Sequence, residues 1–339
     1  MLALAGLLVA CRKEPGGPCD ASQPLYAAYP FPVGVAVNTD ALDANPAYEA
    51  VAARQFNSVT PENIFKPSYL HPGAQDYEWG EADQLAAYCQ AHQQRLHGHT
   101  LVWHQQLPRW MREFAGSPAD WEQLLQDHIQ TICRHFRGRV SSWDVVNEAF
   151  EADGTLRNTI WRAHLGDGYL EKAFRYAHAA DPDARLFYND YDLESNPVKR
   201  RAVLTLLQTL RQRGVPVHGL GMQLHISILH PENTQIAEAL REVQQSGLLV
   251  HLSEIDVATN PLGNAGEPTA ERLQRQADKL AFVVRTYGEL PRAQQYGITF
   301  WGVSDRDSWI RGYYHRADYP LLFDDYYQPK PAYCALAHP

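Results

Sequence analysis

The feature that most constrains this chain is a repeated alternation of short apolar segments with longer amphipathic stretches. Eight apolar segments have the length and composition of buried strands: 33–38, 56–60, 96–103, 142–147, 185–189, 219–225, 249–254 and 297–301. The stretches between them that have helical periodicity are 81–94, 121–136, 169–180, 198–213, 238–246 and 270–287. This order predicts an α/β chain folded as a (β/α)8 TIM barrel in a single domain. An open doubly wound sheet is the alternative, but no glycine-rich phosphate turn follows the first strand.

Length and charge narrow the possible functions. The chain has 339 residues, of which 45% are hydrophobic, and this is ample for the core of one large barrel. Its formal net charge of −9 argues against a nucleic-acid partner, because phosphate binding favours a basic surface.

The N-terminal residues predict an exported protein. Residues 1–10 are apolar or small and too few to span a bilayer, as in the apolar part of a signal peptide. The sequence Leu8-Val9-Ala10-Cys11 resembles the lipobox of bacterial lipoproteins, in which the cysteine is lipidated. We therefore expect a signal peptide over 1–11, a tether over 12–24 and the barrel over 25–339. The expected location is the bacterial cell envelope, lipid-anchored through Cys11 and either periplasmic or surface-exposed.

Four further cysteines, Cys19, Cys89, Cys133 and Cys334, have no spacing typical of a metal site. In an oxidising compartment they could form disulfides, and four cysteines allow three connectivities. A bridge from Cys19 to Cys334 would join the chain ends, but the sequence does not choose among the pairings.

Polar side chains follow the predicted strands directly. The fourth strand ends at Asn147 and is followed by Glu148, and the seventh ends at Glu254. In a parallel barrel such strand ends converge on one face, where active sites are found. Two strand-end glutamates in one cleft are what a glycosidase needs.

A metal site is the alternative interpretation of two histidines on the third predicted strand. His97 and His99 alternate as on one strand face and could be a metal pair. No third ligand follows at helical spacing, whereas a catalytic zinc site needs three protein ligands. We therefore expect no metal and no cofactor.

Eight motifs in order resemble glycoside hydrolase family 10, the family of retaining endo-β-1,4-xylanases, over nearly all of 33–333. They are Thr60-Pro61-Glu62-Asn63, Gly98-His99-Thr100-Leu101-Val102-Trp103-His104, the run from Trp143 to Ala149, Asn189-Asp190-Tyr191, Gln223 with His225, Ser253-Glu254-Ile255-Asp256, Trp301-Gly302-Val303-Ser304-Asp305 and Pro329-Lys330-Pro331-Ala332-Tyr333.

The resemblance implies a function and a set of site residues. Glu148 would be the general acid/base and Glu254 the nucleophile, with Asp256 in the hydrogen-bond network that supports it. The implied substrate-binding residues are Glu62, Asn63, Lys66, His99, Trp103, Gln106, Asn147, Gln223, His225, Trp301 and Trp309. Among them, Glu62, Asn63, Lys66 and Gln106 resemble the residues that hold the next sugar on the non-reducing, or glycone, side. Xylan and xylo-oligosaccharides would be the partners of an enzyme that is expected to act as a monomer.

The sequence departs from the family pattern at Phe65-Lys66-Pro67, where the family usually places Met before the lysine and Trp after it. Pro67 supplies no stacking ring, so weaker binding of sugars on the glycone side is expected.

Two other functions remain possible from the sequence. One is a cellulase or mixed-linkage glucanase on the same barrel. The other is an inactive glycan-binding lipoprotein, which would be expected to lack one of the two glutamates, whereas both are present.

Overall fold

The described part of the chain forms a closed barrel of parallel strands. The computed structural model describes Cys19 and residues 21–338, so the predicted signal peptide and Cys11 lie outside the described residues. The strands are β1 (Val33–Val37), β2 (Ser58–Pro61), β3 (Arg95–Val102), β4 (Ser142–Asn147), β5 (Arg185–Asp190), β6 (Gly219–Met222), β7 (His225–Ser227), β8 (Leu249–Ala258) and β9 (Gln295–Phe300). Neighbouring strands pair from β1 through β6, β6 pairs with β8, and β9 pairs with both β8 and β1. The predicted (β/α)8 TIM barrel is confirmed.

The sixth barrel strand differs from the prediction of one continuous segment over 219–225. It consists of β6 and β7, which both pair with β8 and are separated by Gln223 and Leu224. Leu224 has φ of 59°, in the left-handed region that a residue with a Cβ rarely adopts, and a regular strand cannot continue through it. Residues on both sides of Leu224, Gln223 and His225, line the same cleft.

Helices surround the barrel and connect its strands. They are α1 (Thr39–Ala44), α2 (Pro46–Gln55), α3 (Pro67–Leu70), α4 (Gly80–Ala91), α5 (Arg109–Arg112), α6 (Pro118–His135), α7 (Ile160–Leu165), α8 (Tyr169–Ala180), α9 (Pro197–Gln212), α10 (Asn233–Gln245), α11 (Ala270–Gly288), α12 (Trp309–Tyr314) and α13 (Pro331–Ala337), with short 3-10 helices at Leu25–Ala28, Arg292–Gln294 and Asp305–Asp307. Among the described residues, no helix combines the length and apolar character needed to cross a bilayer.

Helix starts follow local capping chemistry. Helix α6 begins after Ser117, whose hydroxyl accepts a hydrogen bond from the Asp120 backbone while the Asp120 carboxylate accepts one from the Ser117 backbone. Helix α10 begins five residues before the predicted 238, because Glu232 and Gln235 form a similar reciprocal cap. The first turn of α10 is polar, so apolar periodicity alone predicts a start that is too late.

The barrel interior is tightly packed around β4, the strand that Glu148 follows. Every residue of β4 is buried, and Trp143 is completely so. A Cβ on Gly98 of β3 would lie 2.2 Å from the Trp143 ring, so a glycine is needed where this indole packs. Trp143 also stacks with Phe65, with ring centroids 5.7 Å apart.

A disulfide joins Cys19 to Cys334 in α13, 315 residues away in the chain. Cys89 and Cys133 are buried free thiols, so the four cysteines in the described part of the chain form one bridge rather than any of the three complete pairings. The end of the predicted tether also contacts the barrel, since the backbone carbonyl of Ala21 accepts a hydrogen bond from Gln55. The N-terminal described residues are therefore fastened to the C-terminal helix.

Two buried histidines form a hydrogen-bonded pair between the loop after α3 and helix α6. The Nδ1 atoms of His71 and His128 are 3.0 Å apart, and His128 Nε2 lies 3.0 Å from the Leu101 carbonyl oxygen. The carbonyl can only accept, so His128 Nε2 carries a proton and its Nδ1 accepts from His71. Burial lowers the pKa of His128 to about 3, and the charge of His71 adds to the effect. Burial also lowers the pKa of His71 to about 4, against the opposing effects of a backbone hydrogen bond with Ala74 and the charge of Asp76.

We expect this histidine pair to make the protein less stable in acid. A histidine pKa lowered by folding means that the unfolded chain binds more protons, so the stabilisation is complete above about pH 6.5 and is lost as pH falls towards 3–4. One histidine kept neutral down to pH 4 lowers the free energy of unfolding at pH 4 by about 3 kcal/mol relative to pH 7. In urea unfolding at several pH values, His128→Gln should have a shallower dependence of stability on pH than the wild type. The exposed His92→Gln is the control, and parallel curves for His128→Gln and wild type would contradict the assignment.

Candidate active site

A cleft of about 700 Å³ lies at the carboxyl ends of the barrel strands. Its lining residues are Glu62, Asn63, Lys66, His99, Trp103, Gln105, Gln106, Asn147, Glu148, Tyr191, Asp192, Gln223, His225, Glu254, Trp301, Trp309, Tyr313 and Tyr314. The structure thus brings together both predicted catalytic glutamates and all eleven predicted substrate-binding residues.

Glu148 follows β4 directly and is held by neutral donors. Its φ of 56° is in the left-handed region, and its backbone N–H donates to the Asn189 carbonyl at 2.8 Å, which fixes the turn. The carboxylate accepts hydrogen bonds from the Trp103 indole at 2.9 Å and from the Gln223 amide at 3.0 Å. Asn147 donates to the same oxygen as Gln223, at 3.2 Å. Glu148 is therefore oriented at the cleft by N–H groups that carry no formal charge.

Glu254 lies within β8 and is held by a charged partner. Its Oε2 is 3.1 Å from His225 Nε2, and His225 Nδ1 is 2.8 Å from Asp256 Oδ2. Both acceptors are carboxylates, so both ring nitrogens donate and the ring is an imidazolium. Burial alone would lower the pKa of His225, but the charge of Asp256 and its hydrogen bonds to Asp256 and Glu254 raise it well above the ordinary value.

This arrangement keeps Glu254 ionised. Burial raises the pKa of its carboxyl, but the hydrogen bond from His225, the charges of His99 and His225, and the hydrogen bond from Asn189 together lower it below its usual value. Asp256 also accepts from the Trp309 indole at 2.8 Å, which holds that ring beside His225. Asp256, predicted as a supporting residue, is thus placed behind His225 and outside the cleft lining.

A series of hydrogen bonds through two side-chain amides connects the two glutamates. The Asn189 side chain donates to Glu254 at 2.7 Å and to Asn147 at 2.9 Å, and Asn147 in turn donates to Glu148. Ser253 donates to Asn189 at 2.6 Å and orients its amide. A Cβ at position 221 would lie 2.2 Å from the Asn189 oxygen, so Gly221 on β6 makes room for this side chain.

His97 and His99, the alternative metal pair, both lie against one carboxylate. His97 Nε2 and His99 Nδ1 are 3.0 and 2.9 Å from the same Asp144 oxygen. Burial would raise the pKa of Asp144, but the two histidines lower it far below its usual range. Within the described residues, no group of three or more His, Cys, Asp and Glu side chains is arranged to hold a metal ion.

The residues predicted for the glycone side also lie close together. Lys66 Nζ donates to Asn63 at 3.1 Å and lies 5.2 Å from the centre of the Trp103 ring. Burial lowers the pKa of Lys66, against the opposing charges of Glu254, Glu62 and Glu148. Burial raises the pKa of Glu62, against the charge of Lys66. A polar, partly desolvated set of donors and acceptors of this kind can bind sugar hydroxyls.

The departure at Pro67 has a clear local effect. Pro67 is buried at the first position of α3, and Lys66 before it has extended φ and ψ of −75° and 152°. The preceding Phe65 is fully buried against Phe136 and Trp143. Weaker glycone-side binding stays a prediction.

Several residues of the site were not assigned from the sequence. Asn189 belongs to one of the eight motifs but has no role predicted from the sequence, although it donates to the predicted nucleophile. Gln105, Tyr191 and Asp192 line the cleft beside residues that were assigned, so proximity to strand ends could have identified them. Tyr313 and Tyr314 lie on α12, well beyond β9, and no strand-end signal marks them.

Comparison with known proteins agrees with this geometry. The family model described as glycosyl hydrolase family 10 matches residues 22–339. A β-1,4-xylanase of Dictyoglomus thermophilum is 38% identical over 84% of this chain and 82% of its own length. An endo-1,4-β-xylanase of Geobacillus stearothermophilus is 35% identical over 89% of this chain and 94% of its own length.

A solved structure is also similar over nearly its whole length. The crystal structure of xylanase 10B from Thermotoga petrophila RKU-1 in complex with xylobiose superposes with a TM-score of 0.86 and 36% identity, over 92% of this chain and 94% of that chain. The family match and the relatives each span most of the barrel. The chain therefore belongs to glycosyl hydrolase family 10.

Proposed function

We propose that this protein is a retaining endo-1,4-β-xylanase that hydrolyses internal β-1,4 linkages of xylan by double displacement. The observation that carries the proposal is the pair of glutamates in one cleft: Glu254 is held by an imidazolium and Glu148 by neutral donors. The names of the relatives, which are xylanases, and the xylobiose bound to a structural neighbour support the choice of substrate.

In the first step, Glu254 attacks the anomeric carbon as the bond to the leaving oxygen breaks, and Glu148 gives that oxygen its proton. The imidazolium of His225 keeps Glu254 anionic before attack. In the second step, water attacks the glycosyl–enzyme ester, Glu148 takes the proton of the water, and Glu254 leaves as a carboxylate. Asn147, adjacent to Glu148, can contact the sugar 2-hydroxyl, an interaction that strengthens as the oxocarbenium ion forms.

We expect xylan to be hydrolysed faster than soluble cellulose or mixed-linkage glucan, with no loss of activity in EDTA. Activity should withstand EDTA because both steps use only the two carboxyl groups and need no Lewis acid. The measurement is reducing-sugar release from the three polymers at equal mass, with and without chelator. Faster release from either glucan would favour the alternative glucanase function. Loss of activity in EDTA that zinc restores would reject the metal-independent mechanism.

We also propose that the protein is exported and lipid-anchored through Cys11 in a bacterial cell envelope. The lipobox-like sequence supports this proposal, and a Cys19–Cys334 disulfide is compatible with an oxidising compartment. Mass spectrometry of the native N-terminus is the test, and the expected result is an acylated peptide beginning at Cys11. An unmodified N-terminus downstream of Cys11 would rule the anchor out, and Cys11→Ser should release an otherwise membrane-bound protein.

A further inference from the structure

Two adjacent tyrosines on α12 expose large ring surfaces in the cleft. Tyr313 and Tyr314, the tyrosine pair, both line the cleft, although they are 69% and 50% exposed. Their rings meet edge to face with centroids 4.9 Å apart, and each lies within 6 Å of the centre of the Trp309 ring, at 5.3 and 5.9 Å. Together with Trp309 they extend the aromatic lining of the site outward to solvent. Large apolar surfaces exposed inside a cleft are typical of ligand-binding surfaces.

The inner part of this aromatic surface is held in place by polar contacts. The Arg316 guanidinium lies 4.6 Å from the centre of the Tyr314 ring and covers one of its sides. Arg316 is itself fixed by the Asp318 carboxylate at 3.2 Å and by the Pro261 carbonyl at 3.0 Å. The Trp309 indole is anchored on Asp256. A surface ordered in this way loses little conformational entropy when a ligand binds.

The position of the tyrosine pair indicates which part of a substrate it would contact. The residues predicted for the glycone side, among them Asn63 and Lys66, follow β2, and Gln106 follows β3. The tyrosine pair instead lies beside Trp309, whose indole donates to Asp256 in β8 and lies 5.0 Å from the ring of His225 in β7, so it is next to strands on the other side of the barrel from β2 and β3. Burial raises the pKa of Tyr314, and Tyr313 and the charges of Asp256 in β8 and Asp192 after β5 add to this effect. The charge of Arg316 opposes it. Tyr191 and Asp192, which follow β5, line the same cleft as the tyrosine pair.

We propose that Tyr313 and Tyr314 form a stacking platform for xylan sugars on the leaving-group side of the scissile bond. This inference rests on the proposed xylanase function and adds a specificity determinant to it. Xylose rings in β-1,4 linkage present flat C–H faces, which pack on aromatic rings, while the tyrosine hydroxyls remain free to meet water or sugar oxygens. The platform favours chains long enough to reach past Glu148, and short substrates without sugars on that side gain less from it.

The test uses xylohexaose labelled at its reducing end and an aryl β-xylobioside. The labelled product contains the sugars that occupied the leaving-group side, so its length reports the binding register. For the double variant Tyr313→Ala/Tyr314→Ala, we expect kcat/KM on xylohexaose to fall roughly fivefold to twentyfold more than on the aryl xylobioside. We also expect the labelled initial products to become shorter, because fewer sugars are held on the leaving-group side.

Matched variants separate stacking from structural damage. Tyr313→Phe/Tyr314→Phe keeps the rings and should retain the wild-type register, and Tyr326→Ala removes a tyrosine that is 80% exposed and is not among the cleft residues. The platform would be overturned if the Ala double variant gave longer labelled products, kept the wild-type register, or lost the same factor of kcat/KM on both substrates. It would also be overturned if the Phe double variant behaved like the Ala double variant. A wild-type enzyme that cleaves no xylo-oligosaccharide would instead reject the proposed function and this inference with it.

Discussion

Replacing Glu254 by alanine is expected to reduce xylan hydrolysis by roughly four to six powers of ten. Without this carboxylate no glycosyl–enzyme can form, and His225 and Asn189 lose the group that they orient. The loss should appear in kcat on both xylan and aryl β-xylobiosides, because a good leaving group does not replace a missing nucleophile. The exposed Glu113→Ala, which removes a carboxylate from a surface pair with Arg109, is the control.

Azide should identify the role of Glu254. A small anion can occupy the space left in Glu254→Ala and attack the anomeric carbon directly, from the side that the carboxylate used. The expected product from an aryl β-xylobioside is therefore the α-glycosyl azide, detected by proton NMR. Formation of the β-azide by this variant would show that the two glutamates have been assigned the wrong way round.

Replacing Glu148 by alanine is expected to give a different pattern of loss. Hydrolysis of xylan should fall by several powers of ten, because its leaving oxygen needs a proton, whereas an aryl leaving group with a low pKa departs without one. The glycosyl–enzyme on Glu254 then forms but is hydrolysed slowly, since no base activates water. We expect a burst of released phenol, a low kcat and a low KM on activated aryl xylobiosides.

Azide should restore turnover of Glu148→Ala, since an anion needs no base to attack the glycosyl–enzyme. The product should be the β-glycosyl azide, with two inversions giving net retention. Wild-type enzyme should release the β-anomer of its product first, observed by proton NMR before mutarotation. An α-anomer released first would reject the double displacement itself, and failure of azide to accelerate Glu148→Ala would reject its role as the base.

The sequence by itself determined the barrel and the positions of its two glutamates. Buried strands and amphipathic helices have different periods, so their alternation is visible in a single chain. The C-terminal ends of parallel strands share one face, which is why Glu148 and Glu254 could be expected in the same cleft. The assignment of a role to each glutamate came from motif resemblance, because strand position alone does not distinguish them.

Only the tertiary structure decided the features that depend on residues far apart in the chain. The break at Leu224 is stabilised by pairing of both flanking segments with β8, and the choice of Cys19–Cys334 among the possible bridges depends on where α13 packs. Asn189 contacts Glu254 across 65 positions, and Trp309 of α12 donates to Asp256 across 53 positions. Local sequence patterns report the period and burial of one segment. They carry no information on which distant side chain will contact that segment. Those long-range contacts set the charge, the hydrogen bonds and the shape of this site.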